Sequence, residues 1–364
     1  MNYNDLVKHL KEKKWYVYGA GIVAYNISLA LEECSGLVPV NYIVSDKSAK
    51  SPFFSSEIIK TLQDITERSD ICILVATPSQ YHQEILETLK QNKFNDIILV
   101  TDESDYEIMS HYHKKLNKFH LIEEYMPDND ELFNGHETDL KVYKAQSSKD
   151  RVLQQKYEFP DYVIPIYVGS ALENHKPAGI ITDNTGSNIS QKNRTYSELT
   201  ASYWVWKNTT HEYKGICHYR RMLPLTQQQI AGVAFNNIDV ILPLPFVCLA
   251  TASEQFGRYI NSKDYHAMLK AVKMVGGEIA ECMEDILNSR YIYNYNMFIA
   301  KERVFDDYCE WIFSVLDNAE QLCDEKHDRK DRFMGYLGEV LTSLYFMYHS
   351  KDLKIVHTKK IWLT

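Results

Sequence analysis

An α/β protein built of two domains is what this sequence predicts, on three observations. Its 364 residues exceed one ordinary domain. Strand and helix signals alternate through the first 115 residues, the pattern of a doubly wound parallel sheet. A composition of 45% hydrophobic and 24% charged residues is that of a globular chain, neither disordered nor membrane-embedded.

The first domain, residues 1–115, opens with a helix carrying Leu6, Val7 and Leu10 on one face. Trp15 to Tyr18 reads as a strand and runs into Gly19-Ala20-Gly21-Ile22-Val23-Ala24. That run fits G-x-G-x-x-A between a strand and a helix (Ala24 to Glu33), where backbone amides at the helix N-terminus can cradle a phosphate. A second strand, Val38 to Ser45, delivers Asp46, the acid that meets a ribose hydroxyl in such sites. Gly19, Gly21, Ala24 and Asp46 are therefore candidate nucleotide-binding residues, although the same glycines also serve close strand-to-helix packing. The apolar run Ile71 to Ala76, a helix with His82, Ile85, Leu86 and Leu89 on one stripe, and strand Ile97 to Val100 complete the Rossmann-like pattern.

From about His111 the sequence turns irregular, and residues 116–139, with the acidic stretch Glu123 to Glu137, read as a linker. His111 and His113 lack a third ligand nearby and read as a surface pair. The formal net charge of −9 argues against a nucleic-acid partner. Seven scattered cysteines without a C-x-x-C pair indicate neither a disulfide framework nor a zinc site, and suit a reducing cytosol. The N-terminus lacks the apolar segment of a secretory signal, and the apolar stretch Ile238 to Ala252 is too short to span a bilayer. A cytoplasmic protein, soluble or peripheral, is the expectation. Tyrosine, at 26 residues, is in clear excess.

The second domain, residues 140–364, begins with strand Leu140 to Ala145 and carries a series of polar clusters. Ile180-Ile181 leads into Asp183-Asn184-Thr185-Gly186-Ser187-Asn188, which suits either hydroxyl and base recognition or a plain Asx turn. Thr195-Tyr196-Ser197-Glu198 fits a capping box opening a helix through Asn208, with Tyr196, Leu199, Tyr203 and Trp206 as its buried stripe. Strand Tyr213 to Tyr219 ends in His218-Tyr219-Arg220-Arg221, and alternation puts His218 and Arg220 on one face. Two arginines there suit a diphosphate, since guanidinium groups bind phosphate oxygens bidentately and keep their charge. Tyr291 to Ile299 reads as a strand with Asn294, Asn296 and Phe298 on one face. The last helix, from about Asp331, has Phe333, Leu337, Val340, Leu341 and Leu344 as its apolar stripe, with Arg332, Gly335 and Glu339 together elsewhere. Its glycines cost about 1 kcal/mol each against alanine, which close approach of a ligand or a backbone would offset.

In this order, the Asp183 to Ser190 run, Glu198-Leu199-Thr200 with Tyr203-Trp204, Trp206-Lys207-Asn208, His218 to Arg221, Asn296 to Ile299 and the Arg332/Gly335/Glu339 helix resemble a bacterial family long catalogued as a domain of unknown function, now including polysaccharide-assembling galactofuranosyltransferases. The resemblance covers residues 140–364 and not the N-terminal module. It departs from the family at Asn184 and Ser187, where acids are usual, and at Ala145 to Lys149, where a Thr-His-Lys type strand end is usual.

The resemblance implies a single-sheet α/β domain similar to the type A glycosyltransferases and an inverting transfer of galactofuranose from UDP-galactofuranose to a lipid-linked capsule, exopolysaccharide or O-antigen acceptor. It implies donor contacts from Asp183, Asn184, Thr185, Asn188, Lys192, Asn193 and Asn296, and catalytic roles for Glu339, His218, Arg220, Arg221 and Arg332. The strand end His218 to Arg221 holds no Asp-x-Asp, so the arginines are expected to neutralise the leaving diphosphate without a divalent metal. Glu339 is the first candidate for general base, with Asp183 and Glu198 as alternatives. No other cofactor is expected beyond a nucleotide at the first module. Peripheral contact with the inner face of the plasma membrane and a homo-oligomer are compatible with this reading. Two other readings stay open: a nicotinamide-dependent oxidoreductase acting through the N-terminal glycines, and a non-catalytic scaffold of an assembly complex.

Overall fold

A computed structural model describes residues 1–46, 51–126, 138–153, 156–174, 178–323, 329 and 331–363. The chain divides into two compact units, Met1–His120 and Leu121–Leu363. Of the expected linker, residues 127–137, including Pro127, Asp128, Asn129, Asp130 and Gly135, lie outside the described residues.

The first unit contains α1 (Tyr3–Lys11), β1 (Lys14–Tyr18), α2 (Ile22–Ser35), β2 (Tyr42–Ile43), β3 (Ile59–Lys60), β4 (Ile71–Val75), α3 (His82–Gln91), β5 (Asp96–Leu99) and α4 (Asp102–Leu116). Its strands form one parallel sheet in the order β3-β2-β1-β4-β5. β4 is buried along its whole length, as its unbroken apolar run requires of a strand covered on both faces. Gly19 sits at φ +128°, and a Cβ there would lie 2.5 Å from the carbonyl oxygen of Ala76 at the end of β4. Packing thus demands this glycine by itself. Gly21 is the N-cap of α2, Ala24 is buried in it, and Asp46 is exposed beyond a β2 of only two residues. Ser51 donates to the carbonyl of Ala20 at 2.6 Å, so part of the glycine loop is already engaged by the unit's own chain.

Two expectations change here. His111 to Lys115 continue α4 because Ile108, Met109 and Tyr112 extend its buried stripe. His113 is buried against Tyr112 and Phe119, so only His111 of the pair is exposed.

The second unit contains β6 (Leu140–Gln146), β7 (Val163–Tyr167), β8 (Ile181–Thr182), α5 (Asn193–Tyr196), α6 (Leu199–Asn208), β9 (Tyr213–His218), β10 (Arg221–Met222), α7 (Gln227–Phe235), β11 (Val240–Pro243) and β12 (Phe246–Val247). It continues with α8 (Ala252–Phe256), α9 (Ser262–Val275), α10 (Glu278–Leu287), β13 (Tyr291–Ile292), β14 (Phe298–Lys301), α11 (Glu302–Leu322), α12 (Phe333–Tyr348), β15 (Ile355–Thr358) and β16 (Ile361–Trp362). The main sheet runs β15-β11-β14-β9-β6-β7-β8, with β10 pairing both β9 and β16. Along that path every neighbouring pair is parallel except those made by β14.

Alternation along the strands splits the core. Val240 and Leu242, with Phe298 and Ala300, join the larger cluster built by α6 and α9 to α12, whereas Ile241 and Ile299 face a smaller one with Ile230 and Val233 of α7. Gly215 lets β9 lie close to β14, for a Cβ there would stand 2.7 Å from Ile299 Cγ1. β6 and β9 are adjacent and parallel, with Ala145 opposite His218, so their carboxyl ends open at one edge. In an open α/β sheet that edge is where ligands bind.

Candidate active site

A cavity of about 660 Å³ lies at this edge. Its walls are the loop after β6, the α5–α6 junction, the β9–β10 turn and the start of α12. Six cations line it, namely Lys149, Arg151, Arg194, Arg220, Arg221 and Arg332, against two carboxylates, Asp150 and Glu198. A cleft with such a surplus is built for anions, because low-dielectric walls focus its positive field.

β9 ends at His218 and turns back at once into β10, which pairs Arg221 with His218. Strict alternation therefore stops at His218, and His218, Tyr219, Arg220 and Arg221 all reach the cavity. The Arg221 guanidinium lies 4.2 Å from the Tyr295 ring centre and 4.1 Å from that of Trp362, in the corner formed by two rings that meet at 82°. Its Nε is buried without a hydrogen-bond partner among the described residues, a donor that an anion's oxygen would satisfy. The Nε2 of His218 donates to the carbonyl of Tyr295, which can only accept. Burial lowers its imidazole below the ordinary value, opposed by Glu198, so the ring is neutral with Nδ1 free to take a proton.

Glu198 corrects the expected capping box. Thr195 donates back to Lys192, α5 ends at Tyr196, and Ser197 at φ +52° breaks the chain before α6, whose N-cap is Glu198. Freed from capping, its Oε1 accepts from Asn296 Nδ2 at 2.7 Å and lies 3.9 Å from His218 Nε2. Glu339, half-buried on α12, does not line the cavity. Burial and then the charge of Glu198 push its carboxyl up to about 8, against the pull of Arg221 and of the Tyr295 backbone. Glu339 therefore keeps its proton at neutral pH.

The segment expected as one strand from Tyr291 to Ile299 is instead β13 and β14, which belong to different sheets. Between them Tyr295 (φ +80°) and Asn296 (φ +48°) are both left-handed, a conformation Asn tolerates and Tyr does not favour. Asn296 is buried beneath the cavity rather than facing it. Gly335 and Gly338 admit Ser197 and Leu199 with Asn296, so the α12 glycines serve protein packing and not ligand approach.

The expected donor loop is corrected most. Asp183 is fully buried and its carboxylate accepts from Gly169 N, Ser170 N, Ser190 Oγ and Thr200 Oγ1. It has nothing left for a nucleoside and holds the loop together. Thr185 accepts from Trp204 Nε1, Asn188 closes on Gly186 and Ser190, and Lys192 pairs with Glu320 at 2.7 Å. These residues and Asn184 do not line the cavity, whereas Asn193 does. Among the tyrosines of this unit, Tyr219 lines the cavity, Tyr295 backs Arg221, and Tyr196 and Tyr293 are core.

Lys149, Asp150, Arg151, Arg194 and Ser197 also line the cavity, beyond the residues expected there. Asp150 accepts from the backbone and hydroxyl of Ser147, and burial raises its carboxyl against the nearby charges of Arg332 and His218. A run of polar residues directly after the first strand of the domain was the available signal. Among the described residues, the one cluster of three metal-ligating side chains is His9, Cys72 and Asp96 in the first unit. Lys13 already lies 2.5 Å from Asp96, and burial pushes the Cys72 thiol up to about 12, so that cluster is an ion pair beside a thiol. No helix among the described residues is long and apolar enough to cross a membrane.

An α/β glycosyltransferase fold accounts for this sheet and its edge cavity. The chain is similar to the apo structure of the WbbM bifunctional glycosyltransferase, with 26% identity and a TM-score of 0.54 over 62% of this chain and 46% of that one. It thus spans less than half of that protein. Residues 151–351, more than half of the chain, match the family described as a domain of unknown function (DUF4422), and the chain belongs to that family. No curated protein matches it.

Proposed function

We propose that this chain is a glycosyltransferase that moves a sugar from a nucleoside-diphosphate donor to a glycan hydroxyl with inversion. The observation that carries the reading is the cavity's cation surplus beside Glu198, a carboxylate pinned by an amide. The acceptor hydroxyl gives its proton to Glu198 as its oxygen attacks the anomeric carbon, and the bond from that carbon to the diphosphate oxygen breaks on the opposite side. The nucleoside diphosphate departs with the bonding pair, its charge met by Arg220, Arg221 and Arg332. Glu198 replaces Glu339 as base because a protonated carboxyl cannot accept. The WbbM likeness supports glycosyl transfer in general.

Galactofuranose as the sugar, UDP as its carrier and a lipid-linked polysaccharide intermediate as acceptor rest on the motif resemblance alone. So does action at the inner face of the membrane. Arginines in the place of a divalent cation mean turnover that persists in EDTA. The test is a donor panel including UDP-galactofuranose with a synthetic lipid-linked acceptor and mass detection of product. Transfer from UDP-galactofuranose, with Glu198→Gln lowering kcat by roughly 10²- to 10⁴-fold, is the expected result. Transfer from another donor alone removes the sugar assignment, and loss of turnover in EDTA with recovery on adding manganese removes the arginine role.

A further inference from the structure

A buried polar chain runs from the core of α11 to the cavity wall. Tyr308 Oη lies 2.8 Å from Thr342 Oγ1, which lies 3.0 Å from Asn296 Oδ1 and 2.8 Å from the carbonyl of Gly338. Asn296 Nδ2 then donates to Glu198 Oε1 at 2.7 Å and to the carbonyl of Gly335 at 3.0 Å. Only one amide orientation satisfies this set. Reversed, Asn296 Oδ1 would face the Gly335 carbonyl and the Glu198 carboxylate, neither of which donates.

We propose that Asn296, locked by Thr342 and Tyr308, is a positioning residue that holds Glu198 in place as the proton acceptor of the cavity. This rests on the glycosyltransferase reading above. The N–H on Oε1 fixes the rotamer of a carboxylate that lines the cavity, and Oε2 has no partner among the described residues. The other groups facing Glu198 are His218 from β9, Arg221 from β10, Glu339 from α12 and Tyr308 from α11. Of these, Arg221 offers a counter-charge to the carboxylate. The left-handed backbone at Tyr295 and Asn296 is the strain that aims the amide.

Thr342→Val keeps the shape and removes the hydroxyl, and Thr342→Ser restores it. In the whole chain we expect Thr342→Val to lower kcat on the order of tenfold at pH 7 through misplacement of the base. Donor KM should stay unchanged, and Thr342→Ser should return kcat to wild type. An unchanged kcat in folded Thr342→Val, while Glu198→Gln abolishes turnover, overturns the lock and spares the glycosyltransferase reading. Normal turnover by Glu198→Gln removes the base and the lock with it.

Discussion

Replacing Asp183 by Asn separates a structural anchor from a donor contact. Oδ2 accepts from Gly169 N and Thr200 Oγ1, both at 2.8 Å, and Oδ1 from Ser170 N at 3.0 Å and Ser190 Oγ at 2.5 Å. An amide keeps one acceptor oxygen and puts an NH₂ in the place of the other. The hydroxyl that meets the NH₂ can rotate and accept, but the backbone N–H cannot. In either orientation one buried N–H loses its partner, at about 1–3 kcal/mol, and the surviving bonds lose their charge assistance. A loss of about 3 kcal/mol follows, which for a unit of this size lowers Tm by roughly 6–12 °C. Four of the five tryptophans lie in this unit, so intrinsic fluorescence during a thermal ramp reads its unfolding. Donor KM, measured well below the transition, should stay within about threefold of wild type, since nothing of Asp183 reaches the cavity. A Tm within about 2 °C of wild type together with a tenfold rise in donor KM would refute the anchor and return Asp183 to the nucleoside.

Arg221→Lys keeps the charge but not the guanidinium fork held in the corner of Tyr295 and Trp362, so kcat should still fall by at least about tenfold in steady-state assays; full activity would mean that charge alone matters there. Glu339 has a folded pKa raised from 4.5 to about 8, so the native state holds a proton that the unfolded chain releases in between. Its contribution is present below about 4.5 and is lost as pH rises toward 8. Glu339→Gln should therefore unfold at higher temperature than wild type near pH 8, with the gap closing by pH 5, in parallel thermal scans; an equal gap at both pH values counts against the protonated carboxyl. Gly19→Ala meets both a φ of +128° and the Ala76 carbonyl, and should destabilise the first unit by roughly 1–3 kcal/mol, seen as an earlier calorimetric transition with kcat unchanged.

The sequence by itself determined the alternating strands and helices of the first unit, because apolar runs such as Ile71 to Val75 and the stripe of α3 are local patterns with a fixed period. It also singled out His218 to Arg221 and Arg332, all of which line the cavity, since a strand end or helix start can be recognised from its own residues. Where each polar side chain points was decided only by the tertiary structure. Asp183 and Asn296 look like ligand groups in a string of polar residues, yet the folded chain surrounds them with Gly169, Thr200, Gly335 and Thr342 from distant segments. Glu198 looks like a cap, yet a left-handed Ser197 breaks the helix and turns its carboxylate to the cavity. The physical reason is the same in each case: a buried polar atom must find a partner, and the partner is supplied by packing across the sequence rather than along it.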